Sequence, residues 1–197
     1  MARKGARGRR LPPKRVYQLK ITISNIRPPV WRRVLVESHA TLGDLHLVIQ
    51  RLFDWENYHL HDFTIGGGRY GDDWDDQPAD LICEHDVLLC DLGLVPKAKF
   101  DYLYDFGDGW EHKVLVEAEL DPEEGVEYPV CVRGRRAGPP EDCGGPWGYA
   151  RMLASLADPE DGARNEIVDW LGEPFDPDEF NIHVVNALLR AGRQGET

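Results

Sequence analysis

The sequence predicts an α+β fold: a mixed, curved β-sheet crossed by one helix in a β-grasp-like arrangement, followed by a helical C-terminal part. Three observations predict it. Residues 16–26, 30–37, 58–65, 100–106 and 110–119 are strand-like, rich in β-branched and aromatic residues. Residues 41–53 instead place Leu42, Leu45, Val48, Ile49, Leu52 and Phe53 at helical spacing. Beyond Glu127 the strand signals give way to loop punctuation and three helical segments.

In chain order, 16–26 (VYQLKITISNI) reads as a strand that Arg27-Pro28-Pro29 breaks, and 30–37 reads as its hairpin partner. Thr41 is the expected N-cap of the helix, with Asp44 in place of the Glu of a capping box. Leu45, Ile49 and Leu52 should face the sheet. The strand 58–65 follows, then Gly66-Gly67-Gly68 as a turn or bulge, then a polar loop over 71–80. Residues 81–89 suit either a short strand or one helical turn. The runs KFDYLYDF and WEHKVLVEAEL flank Gly107-Asp108-Gly109, the signature of a β-hairpin. Residues 128–132 are an expected edge strand and 133–145 a loop. Helices are expected at 148–156, 162–171 and 177–191. Asp176 should cap the last of these, with Pro177 at its first position.

Length suits a single domain over residues 16–191, with a disordered basic arm at 1–15 and a disordered tail at 192–197. The arm holds seven Lys or Arg and no acid, within a chain of net charge −12. Residues 101–180 hold twenty-one acids against six basic residues, and so acidic a body repels phosphate backbones. Nucleic-acid contact is therefore expected only weakly, through residues 1–15. No apolar run approaches the ~18–20 residues of a membrane span, and the N-terminus has no apolar leader, so a cytoplasmic location is expected. Cys83, Cys90, Cys131 and Cys143 form no CxxC pair and are expected as free thiols. There is no GxSxG elbow and no Gly-Lys-Ser/Thr phosphate loop, and Gly66-Gly67-Gly68-Arg69-Tyr70-Gly71 lacks the βαβ context of a dinucleotide turn. Ser24, Ser38 and Ser155 lack the arginine-rich setting of a recombinase nucleophile.

Three segments carry candidate chemistry. His59 and His61 alternate along an expected strand, so both imidazoles should project from one face and could share a metal. The alternative is one histidine satisfied in the core and the other at the surface. The hairpin tip offers Asp105, Asp108, Glu111 and His112 among Phe106 and Trp110. These are acid–base or ligand groups, or else turn-forming carboxylates above aromatic anchors. The run PPEDCGGPWGY presents Glu141 and Asp142 on a proline-stiffened loop, with Trp147 beside them. Polar groups interleaved with aromatics suit a cleft lining, so the three segments are expected to meet. The candidate cleft is His59, His61, Asp105, Asp108, Trp110, His112, Glu141, Asp142 and Trp147. The candidate metal set is His59, His61 and Asp105, for a divalent ion such as zinc or manganese.

YHLHDF at 58–63, YLYDFGDGWEH at 102–112 and GPPEDCGGPWGY at 138–149, in this order, resemble the plasmid pRiA4b ORF-3-like family. IRPPVWRRVLV and TLGDLHLVIQ resemble it too, so the likeness spans roughly residues 16–190. It implies an α+β fold and a prokaryotic cytoplasmic protein associated with mobile elements, without an established activity. Relatives often carry Cys directly before the PPED run, where this chain has Gly138, which leaves a thiolate zinc site short of a ligand. Two functions are expected from these readings. One is an accessory module binding a protein or small ligand. The other is a metal-dependent hydrolase using His59, His61 and the 105–112 tip.

Overall fold

The computed structural model describes residues 10–72 and 78–194. It contains one eight-stranded sheet in the order β5-β4-β3-β6-β7-β1-β2-β8. The strands are β1 Val16–Ile23, β2 Trp31–Glu37, β3 His61–Ile65, β4 Gly68–Gly71, β5 Leu81–Cys83, β6 Lys99–Tyr104, β7 Trp110–Leu120 and β8 Val130–Arg135. Pairing is antiparallel throughout except between β4 and β5. Register shifts at Gln18/Leu19 and Arg33/Val34 are bulges, which increase local twist and bend the sheet.

Helix α1, Leu42–Phe53, starts with the expected capping box: Thr41 and Asp44 each accept from the other's backbone N–H. It buries Leu45, Ile49 and Leu52 against the sheet. The opposing face is built by alternation, with Trp110, His112, Val114 and Val116 all buried along β7. A polar seam joins the layers. Gln50 Nε2 donates to the Tyr102 hydroxyl at 3.0 Å, and that hydroxyl donates to His46 Nδ1 at 2.8 Å. His46 Nε2–H then meets Asn57 Oδ1 at 2.5 Å. This chain of donors fixes a neutral His46, and burial pushes its pKa down to about 3. His46 therefore lies on the sheet-facing side of α1.

The C-terminal part comprises α2 Gly145–Ala157, α3 Arg164–Leu171 and α4 Ile182–Gln194. α4 begins five residues later than the Asp176-Pro177 signal suggested. Asp176 instead closes a local turn onto Asp178 N, Pro177 O accepts from Ala137 N, and Asp178 pairs with Arg136. Asn181 Oδ1 takes the capping role, accepting from His183 N and Val184 N. Asn186 of α4 hydrogen-bonds both the N–H and C=O of Cys131, so a side-chain amide covers part of the β8 edge.

Most of the predicted basic arm, residues 1–9, lies outside the described residues, as do 195–197 of the predicted tail; α4 itself continues to Gln194. At the arm's end Lys14 pairs with Glu37 at 2.9 Å, and Arg15 pairs with Glu119 at 3.2 Å and with Asp121. No helix among the described residues is long and apolar enough to cross a membrane.

Candidate functional site

The tip of the β6–β7 hairpin is shaped by its own carboxylates. Asp105 has left-handed φ (+56°), and its Oδ1 accepts from Gly107 N at 2.9 Å and Asp108 N at 3.2 Å. Its backbone N–H donates to Leu60 O at 2.9 Å, which ties the tip to the segment before β3. Asp108 Oδ2 accepts from Gly144 N at 3.0 Å. One residue on, a Cβ at Gly145 would lie 2.1 Å from the Asp108 carbonyl oxygen. Only glycine permits that approach at φ +67°. Gly138 is constrained in the same way, because a Cβ there would lie 2.1 Å from Phe53 O. The loop is thus locked to the tip at one end and to α1 at the other.

Between those locks the loop presents its two acids to the segment 56–59. Trp55 Nε1 donates to Pro139 O at 2.8 Å. Glu141 accepts from the Tyr104 hydroxyl at 2.5 Å and from Glu56 N at 2.7 Å. Asp142, also at left-handed φ (+56°), accepts from the Tyr58 hydroxyl at 2.8 Å and faces His59 Nε2 at 3.1 Å. Asp105 Oδ2 lies 3.7 Å from the same His59 nitrogen. Bonding to Asp142 raises the Tyr58 pKa, while burial and then Glu141 raise that of Tyr104. Both hydroxyls are held as donors, not as titrating acids.

One ligand atom each from His59, Asp105 and Asp142 lies within 4.8 Å of the others. Ligand atoms around a shared ion at ~2.0–2.2 Å sit roughly 3–3.5 Å apart, so small side-chain movements would complete one nitrogen and two oxygens. Such a set suits zinc or manganese. The three sequence segments expected to meet do so.

Membership of the cleft differs from the expectation in three respects. First, His61 does not join His59, Asp105 and Asp142 in their cluster, although both histidines line one pocket. The β3 ladder starts only at His61, paired with Tyr104, so His59 lies outside the strand and period-two alternation does not apply to it. His61 is buried, bonds Glu84 Oε2 at 2.9 Å, and stacks on His46 with ring centroids 3.4 Å apart. Second, Trp110 and His112 point into the core. His112 packs against Phe53, Trp55 and Tyr102, and burial pushes its pKa down to about 4. Third, Trp147 is no wall of an enclosed cleft. It is 89% exposed in the first turn of α2. Phe106, Tyr58 and Leu60 are exposed too. Sequence reasoning missed Tyr58, Tyr104 and Glu84, none of which carries a motif of its own.

Fold and site together define an α+β sheet protein with an acidic surface, rimmed by aromatics, where a hairpin tip, a pre-strand segment and a glycine-locked loop converge. The chain belongs to the plasmid pRiA4b ORF-3-like proteins, matching that family over residues 15–184. It is 39% identical over 178 residues to an uncharacterised protein, y4hQ, of Sinorhizobium fredii, covering 88% of this chain and 90% of the relative. It is also similar to the crystal structure of a protein of unknown function from Methanosarcina mazei Go1. That match has a TM-score of 0.79 and 42% identity, and covers 86% of this chain and 97% of the other.

Proposed function

We propose that this protein is a cytoplasmic accessory module, carried with mobile elements, that binds a basic segment of a partner protein at the surface around Asp105 and Asp142. The carrying observation is Trp147, a large aromatic left 89% exposed beside an acidic loop whose backbone is locked in place. Exposed aromatics on a rigid frame are the anchors from which interfaces draw most of their energy. The acidic balance of residues 101–180 favours a positively charged partner. The family's plasmid namesake supports the mobile-element role.

A second reading rests on the separation within His59, Asp105 and Asp142: a divalent ion held there, as in a metal-dependent hydrolase. A bound ion would lower the pKa of a coordinated water. The chain's own part would be to hold Asp105 by two backbone amides and Asp142 by Tyr58.

One titration series separates the readings. A labelled Lys/Arg-rich peptide should bind the full chain saturably, lose affinity with added salt, and bind Trp147→Ala about tenfold more weakly or worse. Equal binding of a Glu-rich peptide, or an unchanged affinity in Trp147→Ala, would overturn the module. Zinc titrated into wild type and Asp142→Asn tests the ion, since only wild type should take it up. Identical uptake by the two proteins, or none by either, removes the metal reading.

A further inference from the structure

A cavity of about 490 Å³ opens between α2 and α3, with Asp142 in its lining. Gly148, Arg151, Met152 and Ser155 form one face of α2 at i, i+3, i+4 and i+7, and all four line it. Ile167 and Trp170 of α3 supply the opposite wall, and Cys143 lies at one end. A seam between adjacent helices is ordinarily filled to crystal-like density by interdigitating side chains. Here Gly148 is committed to the Cys143 carbonyl, 1.9 Å from where its Cβ would sit, and Ser155 stands where a larger apolar residue would close the gap.

Two polar groups line this otherwise apolar seam. Ser155 is only 5% exposed, and it lines the cavity. A hydroxyl in the lining of an apolar cavity can donate to an acceptor placed there. Arg151, one helical turn before it on the same face, is exposed and lines the same cavity. The other charge at the rim is committed, because Asp142 is engaged by Tyr58 and His59. Cys143 is not a competing nucleophile. Burial and then the Asp108 charge push its thiol up to about 12, so it lines the cavity as a small apolar group.

We propose that the α2–α3 seam binds a small amphipathic carboxylate, its apolar body against Met152, Ile167 and Trp170 and its head on Arg151 and Ser155. A few apolar walls with convergent polar groups at one end is the usual build of a small-molecule site, and a guanidinium is well matched to a carboxylate head. The cavity adjoins the peptide-binding surface of the preceding proposal at Asp142, which borders both.

Octanoate, octanol and octylamine should be titrated into the full chain by calorimetry, in parallel with Arg151→Gln and Ala163→Leu. Arg151 and Ala163 are exposed, so both variants should keep the fold, which circular dichroism checks. Octanoate should bind wild type at one saturable site and more tightly than octylamine. Arg151→Gln should weaken octanoate about tenfold or more while leaving octanol unchanged. Ala163→Leu, which fills the cavity, should weaken all three. The proposal is overturned if octylamine binds as well as octanoate, if Arg151→Gln leaves octanoate unchanged, if Ala163→Leu leaves it unchanged, or if none of the three binds wild type.

Discussion

Lowering the pH from 7.5 to 5.0 should destabilise this fold by roughly 4 kcal/mol, through His46 and His112. Burial holds their pKa values at about 3 and about 4, against an ordinary 6.5. Below pH 6.5 the unfolded chain takes up two protons that the folded chain refuses. The stabilisation is complete above the unfolded value and is lost as pH falls below it. Each unit costs about 1.36 kcal/mol per group, so reaching pH 5.0 costs roughly 2 kcal/mol per histidine. The Glu117 carboxyl, held low by Arg33, adds its own loss only below its usual range near 4.5, outside this window. Urea melts followed by circular dichroism at pH 7.5, 6.5 and 5.0 give the slope. His112→Leu puts an apolar group among Phe53, Trp55 and Tyr102 and removes one titrating site. That variant should lose only about half as much stability on acidification, whatever its stability at pH 7.5. A wild type whose stability is flat between pH 7.5 and 5.0, or a variant with an unaltered slope, would refute the reasoning.

Two further outcomes test how the site is assembled. Gly145→Ala should cost about 2–4 kcal/mol in chemical denaturation, because its Cβ meets the Asp108 carbonyl and its φ is positive. Amide exchange at Gly144, whose N–H is held by Asp108, should speed up in the same variant. Asn181→Ala should cost about 1 kcal/mol as a lost helix cap, whereas Asp176→Ala should cost less, since Asp176 caps only a local turn.

The sheet and its crossing helix were legible because each rests on a local pattern with a long run. Along β7 the inward residues alternate without interruption from Trp110 to Val116, and α1 repeats its apolar positions over three turns behind a capping box. The start of α4 was not legible, because Asp176-Pro177 satisfies every local rule for a helix start. What overrides it is distant. Ala137 and Arg136 claim the backbone and the acid at 177–178, and the chain turns helical only after Asn181. β4 was hidden for a related reason. Gly68–Gly71 is a strand by virtue of its partners β3 and β5, not of its composition.

The site divides along the same line. That segments 58–63, 105–112 and 138–149 meet was readable from their mixture of aromatic and polar residues, but which members face outward depended on where each element starts. His-Leu-His reads as a pair on one face only if the strand begins before His59. Pairing begins at His61, and that offset sends one imidazole to Glu84 and leaves the other for Asp142. Trp147 turns on the same question. With a helix starting at Gly148 it belongs to a loop and could line a cleft. With α2 starting at Gly145, the buried positions Gly145, Gly148, Tyr149 and Met152 define the inner face, and Trp147 falls on the opposite side. Gly145 can open the helix because Asp108 presents its carbonyl oxygen where a side chain would stand. A contact thirty-seven residues away in the chain therefore decides that the largest aromatic of this loop faces solvent and not the core.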